Sequence, residues 1–268
     1  MSSAPVAAPE HLRVERTGAV LTITIDRPER MNATSTGTGQ ALLAAVNEAA
    51  AGPAVRAIVL TGAGRAFSAG ADLRAMDGPA LPDGRPDLAE ILRGTFNPLV
   101  LAIRAAPKPV IAAVGGPAVG VGCSLALACD LMVVSRSAKL IAGFANVGLS
   151  LDGGLSLLLA RKAGSTRAAH AALVGTPIDG EQALAWGLAN ELVADDALQA
   201  AAAALAARLA KSAPGALAAS KKLLGAVIDE GLAAALEREA ISQGGRVDSP
   251  EFVEGVSAFL ERRAPDFG

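Results

Sequence analysis

Two turns rich in small residues carry the first chemical signal in this chain of 268 residues. Phe67-Ser68-Ala69-Gly70-Ala71-Asp72-Leu73 follows an apolar run at residues 56–60. Gly115-Gly116-Pro117-Ala118-Val119-Gly120-Val121-Gly122 follows a second run at residues 110–114 and opens a helical pattern. Turns of small residues at strand ends expose backbone N–H groups to whatever occupies the crevice. Two such donors converging from neighbouring strands would form an oxyanion hole. On local sequence alone the simpler reading, glycines that only turn the chain, stands first. A third feature is Asp152, ahead of Gly153-Gly154 and the apolar stretch Leu155-Ser156-Leu157-Leu158. It reads as a helix N-cap, or as a general base in an apolar pocket of Leu149, Leu151, Leu155 and Phe144, where burial would raise its proton affinity.

Other motifs are weaker. Gly62-Ala63-Gly64-Arg65-Ala66-Phe67 begins like a dinucleotide-binding fingerprint but has Phe where the third Gly belongs, and no phosphate-binding GK[ST] occurs. Gly122-Cys123-Ser124-Leu125-Ala126 resembles a serine nucleophile elbow with Ala in place of the final Gly. His170, the partner such a serine would need, sits within a helical pattern, so Ser124 reads as a buried hydroxyl bonded to its own helix backbone. His11 and His170 read as structural. Cys123 and Cys129 read as free buried thiols, since two Cys and two His supply no disulfide framework or zinc site.

The elements that must position these residues alternate in the first part of the chain. Residues 12–16 and 20–26 form a hairpin pattern around Thr17-Gly18, and residues 36–51 have helical spacing. A strand at 56–60, a Pro/Gly-rich loop at 77–87, a helix at 88–104, a strand at 110–114, a helix at 122–128 and a strand at 131–134 follow. Strands separated by helices predict crossover connections in an α/β core. After about Gly154 helical spacing dominates: 155–162, 166–174, 180–186, 197–211, 216–229, 232–243 and 250–263. The expected organisation is an α/β core over residues 1–195 and a helical oligomerisation region over 196–268, its long apolar faces suited to packing against other subunits.

Composition narrows the function. The chain is 51% hydrophobic and 19% charged with a net charge of −2, which excludes a disordered protein and leaves no basic surplus for nucleic acid. Met1-Ser2-Ser3-Ala4-Pro5 has neither the basic start nor the apolar core of a signal peptide. Residues 109–129 are uncharged over a membrane-spanning length, but two Pro and four Gly predict a strand, a turn and a buried helix instead. A cytoplasmic protein without a membrane partner is expected.

The ordered set Asp26-Arg27-Pro28…Asn32-Ala33, Ala66-Phe67-Ser68-Ala69-Gly70-Ala71-Asp72-Leu73, Lys108-Pro109-Val110-Ile111-Ala112-Ala113-Val114 and Gly120-Val121-Gly122-Cys123-Ser124-Leu125-Ala126-Leu127-Ala128-Cys129-Asp130 resembles the crotonase superfamily. The likeness extends to Glu254-Gly255-Val256-Ser257-Ala258-Phe259-Leu260 and covers almost the whole chain. It implies a spiral of ββα units with a C-terminal helical trimerisation region, a homotrimer or hexamer, and an acyl-CoA thioester substrate. Coenzyme A enters only as part of that substrate, with no separate cofactor and no metal. The oxyanion donors fall on the backbone N–H groups of Ala71 and Val121. Val stands where the family usually has Gly, which narrows the pocket without removing the donor. CoA contacts fall near Arg27, Ala33, Ala69, Asp72, Leu73 and Arg74, and Phe259 and Arg262 match positions that reach the nucleotide, commonly from a neighbouring subunit.

The departures set the expected chemistry. Hydratases of this family use two glutamates, and Ser124 and Phe144 stand at those positions, bordering the substrate without serving as acid or base. Asp152 stands where several enoyl-CoA isomerases carry a carboxylate, and Phe96-Asn97-Pro98-Leu99-Val100 and Ser137-Ala138-Lys139 look like the phenylacetate-pathway type of isomerase. The resemblance therefore favours an enoyl-CoA isomerase with Asp152 as its one base. The competing readings are a hydratase with an atypical site, a dienoyl-CoA variant, a dehalogenase-like nucleophilic Asp152 and a non-catalytic acyl-CoA binder.

Overall fold

A computed structural model describes residues 11–75 and 77–268; the expectation of no signal peptide at Met1-Ser2-Ser3-Ala4-Pro5 lies outside them. The hairpin forms as expected, β1 (Leu12–Thr17) pairing antiparallel with β2 (Val20–Ile25), and α1 (Thr36–Ala51) follows, capped by the Ser35 hydroxyl. Next come β3 (Ala57–Gly62), α2 (Leu88–Ile91), α3 (Asn97–Ala105), β4 (Val110–Val114), β5 (Pro117–Val119), α4 (Val121–Ala128), β6 (Leu131–Ser135) and β7 (Lys139–Ile141). The chain continues through α5 (Leu155–Ala163), α6 (Ser165–Ala169), β8 (Ile178–Asp179), α7 (Gly180–Ala185), β9 (Glu191–Val193), α8 (Leu198–Ala210), α9 (Pro214–Ile228), α10 (Leu232–Arg246) and α11 (Pro250–Glu261).

A six-stranded sheet runs in the order β1-β2-β3-β4-β6-β9, parallel after the first hairpin, and a three-stranded sheet runs β5-β7-β8. Each turn of the spiral lays one strand in the large sheet and the next segment in the smaller layer, then returns through a helix. Sequence reading missed β5, β7, β8 and β9, each of two or three residues. Such segments are too short to show an alternating pattern.

The inner strands read as unbroken apolar runs because both faces are covered. Ile58, Leu60, Val110, Ala112 and Val114 face the main core under α1, α3, α4 and α5. Ala57, Val59, Ile111 and Ala113 face the other way, against Leu198, Ala202 and Ala206 of α8. That helix therefore closes the second face of the sheet although it follows residue 196. The helix expected over 88–104 is instead two α-segments joined by a π turn at Leu92–Phe96, a distortion that concentrates at functional sites. Among the described residues no helix is long and apolar enough to cross a membrane.

The two small-residue turns meet. β3 and β4 are adjacent and parallel, and their following segments pair at Ser68 and Ala118, with the Phe67 and Ser68 N–H groups donating to the Pro117 carbonyl. Gly70 sits at φ +89°, with the Val119 carbonyl oxygen 2.7 Å from where a Cβ would stand. Gly70→Ala is therefore expected to destabilise the fold by more than about 1 kcal/mol in urea unfolding, from strain and collision together. An unchanged midpoint would mean that the turn relaxes freely.

Candidate active site

The first donor is built by the β3 turn. The Ser68 hydroxyl donates to the Asn32 carbonyl at 2.8 Å and accepts from the Gly70 N–H at 3.1 Å, while the Asn32 amide donates to the Ala63 and Ala66 carbonyls. The turn is thereby pinned to residues 32–34. In the bridge between Thr34 and Ala71, the Thr34 N–H donates to Gly70 and the Asp72 N–H donates to Thr34. The Ala71 N–H consequently points to the opposite side. The second donor is the first residue of α4: the Gly120 N–H is taken by the Ile141 carbonyl and the Gly120 carbonyl accepts from Ser124, which leaves the Val121 N–H as an orphan of the helix terminus. Among the described residues neither Ala71 N–H nor Val121 N–H has an acceptor, and both residues line one pocket. The α4 terminus adds partial positive charge there.

Asp152 lines the same pocket and is buried. Its Oδ2 accepts from Gln243 Nε2 of α10 at 3.2 Å, and its Oδ1 has no partner among the described residues. Burial pushes the carboxyl up, the negative charge of Glu239 adds to the rise and the Gln243 bond pulls it back, leaving it at about 8. The N-cap reading of Asp152 is corrected by the structure. Gly153 at φ +62° and Gly154 at φ +79° turn the chain away, and no side chain of the loop caps α5. Glu239 of α10 does so instead, accepting from the Gly154 N–H at 2.6 Å and the Ser156 N–H at 2.9 Å.

Much of the pocket wall is apolar, with Leu73, Leu88, Ile91, Leu92, Phe96 and Leu149 lining it beside Asp152. Thr36, the first residue of α1, and Asp77 also line the pocket, the Thr36 N–H donating to the Asp77 carboxylate. Asp72, also on the wall, is committed: it accepts from Arg27 Nη1 at 2.6 Å and from the Arg74 N–H at 3.0 Å. Burial raises its proton affinity, but those two bonds outweigh the effect and hold it below the usual carboxylate range.

The other expected site residues fall in three places. Arg27 also reaches the Ala33 carbonyl at 3.3 Å, the Ala69 N–H donates to Met31, and the Arg74 side chain is exposed, so these residues gather beside the β3 turn. Ser124 and Phe144 are buried without lining the pocket. The Ser124 hydroxyl donates to the Asp152 carbonyl at 2.8 Å and lies 3.3 Å from the Gly120 carbonyl, while Phe144 packs beside Gly120. Phe259 of α11 and Arg262 just past its end are exposed and do not border this pocket. Sequence reading missed Glu239 and Gln243. Their signal was present, since both lie on the buried stripe of α10 with Leu232, Ala235, Leu236 and Ala240. Among the described residues no group of three His, Cys, Asp or Glu could hold a metal ion.

The enoyl-CoA hydratase/isomerase family model matches residues 15–268. A probable enoyl-CoA hydratase of Rhodobacter capsulatus is 41% identical over 96% of this chain and 97% of its own length. A 1,2-epoxyphenylacetyl-CoA isomerase of Escherichia coli is 38% identical over 92% of this chain and 94% of its own length. The crystal structure of an enoyl-CoA hydratase from Mycobacterium avium subsp. paratuberculosis superposes with a TM-score of 0.87 at 37% identity, covering 98% of this chain and 100% of that one. The fold is that of the crotonase superfamily. The chain belongs to its enoyl-CoA hydratase/isomerase family, whose members act on acyl-CoA.

The raised proton affinity of Asp152 links stability to pH. Between the ordinary carboxyl value of 3.8 and about 8 the folded protein keeps a proton that the unfolded chain has lost, so this group's contribution to stability falls as pH rises through that window. Asp152→Asn cannot ionise, and should gain roughly 2–4 kcal/mol on the unsubstituted protein between pH 5 and pH 8. Urea melts at both pH values test this; parallel curves would place the carboxyl at an ordinary value.

Proposed function

We propose that the protein is an enoyl-CoA isomerase in which Asp152 moves a proton from C2 to C4 of a 3-enoyl thioester. One observation carries the reading: the pocket holds a buried carboxylate with one undonated oxygen, together with two backbone N–H groups that lack acceptors. Asp152 Oδ1 takes the C2 proton, and the electron pair passes through the C3–C4 double bond system to give a dienolate. Its charge rests on the thioester oxygen between the Ala71 and Val121 N–H groups. The protonated Asp152 then delivers the same proton to C4, and the double bond stands between C2 and C3. Nothing else is consumed. The six apolar wall residues keep water from quenching the dienolate.

Hydration fits the same pocket less well. It needs water to be positioned and a proton supplied at a second centre, and the other wall carboxylates are engaged, Asp72 by Arg27 and Asp77 by Thr36. The Escherichia coli relative named as a 1,2-epoxyphenylacetyl-CoA isomerase supports only isomerisation of a CoA thioester in general, whereas the Rhodobacter relative named as a probable hydratase is the competitor. In the proposed complex Arg27, Ala33, Ala69, Asp72, Leu73 and Arg74 flank the CoA moiety at the β3 turn.

The working form is proposed to be a trimer or hexamer. Leu223, Leu224 and Val227 of α9 are 72%, 61% and 73% exposed, and Val253, Phe259 and Leu260 of α11 are exposed too. Such a display is more apolar than a lone subunit's surface requires. Arg262 would then meet the nucleotide end of a neighbour's substrate, a role suited to a guanidinium.

Two outcomes test the proposal. Asp152→Asn should keep CoA-thioester binding and lower the rate of 3-enoyl to 2-enoyl conversion by roughly 100- to 10,000-fold. In the unsubstituted enzyme kcat/KM should rise with pH to a plateau above about 8, because only the ionised Asp152 accepts a proton. Near-normal isomerisation by the Asn variant would end the proposal, and tight binding with no exchange of the C2 hydrogen for solvent deuterium would point to a binder. For assembly, sedimentation should show no stable monomer at micromolar concentration. Arg262→Ala should weaken CoA-thioester binding more than pantetheine-thioester binding; equal losses would remove Arg262 from the nucleotide site.

A further inference from the structure

Four buried side-chain atoms among the described residues have no hydrogen-bond partner, and three of them belong to Ser150, Asp152 and Gln243. Buried polar groups are normally satisfied, so a cluster of orphans needs a reason. The contact that joins these residues is specific. Gln243 Nε2 donates to the Ser150 carbonyl at 2.6 Å and to Asp152 Oδ2 at 3.2 Å. Its two N–H bonds are thus divided between a backbone oxygen and one carboxylate oxygen. A flipped amide would turn Gln243 Oε1 towards two acceptors, so the orientation is fixed by chemistry. Gln243 and Asp152 both line the pocket.

We propose that Gln243, with Glu239 one turn before it on α10, is the positioning residue for Asp152, holding Oδ2 and the Ser150 carbonyl so that Oδ1 alone is presented to the acyl group. The inference rests on Asp152 being the base of the proposed isomerase. A second donor on Oδ1 would stabilise the carboxylate and weaken it as a base, and no donor at all would leave the side chain free to rotate. One donor, shared with the loop backbone, orients the group and leaves its proton-accepting oxygen bare. Glu239 fixes the same loop through the Gly154 and Ser156 N–H groups and sets a negative charge behind Asp152.

The remaining charged groups around the loop are already engaged. Arg246, the next turn of α10, donates to the Gly148 carbonyl and pairs with Glu251 of α11 at 3.2 Å. On the pocket side Asp72 is paired with Arg27, and Asp77 accepts from Thr36. From α2 Glu90 pairs with Arg93 at 2.8 Å. Gln243 and Glu239 are therefore the two groups whose alteration should move Asp152, and they should move it in opposite directions. The bond from Gln243 lowers its proton affinity and the charge of Glu239 raises it.

The test follows the Asp152 carboxyl directly, by carbon NMR of protein labelled with [13C]Asp and assigned against Asp152→Asn, alongside isomerase kinetics on a 3-enoyl-CoA. Gln243→Met, similar in length and unable to donate, should raise the Asp152 midpoint and cut kcat by roughly 10- to 100-fold, with KM changed about twofold or less. Glu239→Gln should lower the midpoint. Loss of packing alone would move both variants the same way, or raise KM with kcat retained. A Gln243→Met midpoint that stays put, or kcat that does not fall in an otherwise active enzyme, would overturn the proposal, and that variant decides it whether or not Glu239→Gln folds. Opposed midpoint shifts in a protein that does not isomerise would uphold the positioning role and remove the isomerase reading.

Discussion

One buried carboxylate ties the two halves of this molecule together. Glu239 reaches from α10 to the first turn of α5 and closes two N–H groups that the loop before the helix leaves open. Charge-assisted bonds of this kind are stronger than neutral ones, and a negative group at a helix N-terminus is favoured by the peptide dipoles. Ser124 grips the same loop from the other side through the Asp152 carbonyl. With Gly153 and Gly154 both left-handed, the loop has little rigidity of its own. The position of Asp152 thus depends on contacts made by α4 and α10, and a single anion both anchors the loop and raises the proton affinity of the carboxyl it carries.

That arrangement has an electrostatic logic. A carboxylate that is buried and near a second anion is unstable as an anion, and among the described residues the Ala71 and Val121 N–H groups have no acceptor. In the proposed reaction the proton passes to Asp152 while negative charge appears on the thioester oxygen. Net charge in the pocket is unchanged, but it moves from a place that disfavours it to a place built to receive it. Both ends of the transfer therefore lower the barrier, and neither needs solvent to reorganise.

Much of this frame was legible in the sequence. Unbroken apolar runs at β3 and β4, glycine turns after them and the helical spacing beyond Gly154 located the sheet, the two small-residue turns and the helices. What escaped depended on distance along the chain or on local geometry. The segment at 88–104 has unbroken helical spacing, yet Gly39 of α1 lets Thr95 and Phe96 press close, and the helix takes a π turn there. Asp152 followed by two glycines spells a cap, but the cap comes from Glu239, 85 positions beyond Gly154. Glu239 and Gln243 could have been noticed as polar residues on an apolar stripe. What they bond to could not, because sequence spacing carries no information about which loop packs on a helix.

The helical half is consequently not an appendage to a finished site. α8 completes the sheet's second face, and α10 supplies the groups that hold Asp152, while α9 and α11 each carry three large exposed apolar side chains. In the proposed oligomer those side chains would be buried between subunits on either side of α10 in sequence. Burial of apolar surface is non-directional and cumulative, whereas the hold on Asp152 is directional, set by a single hydrogen bond from Gln243. In that proposed oligomer a broad hydrophobic contact at the outside would fix the helix whose inner face carries Glu239 and Gln243. A rigid frame is what allows a lone carboxylate with one bare oxygen to work, since such a group has no second bond to correct its aim.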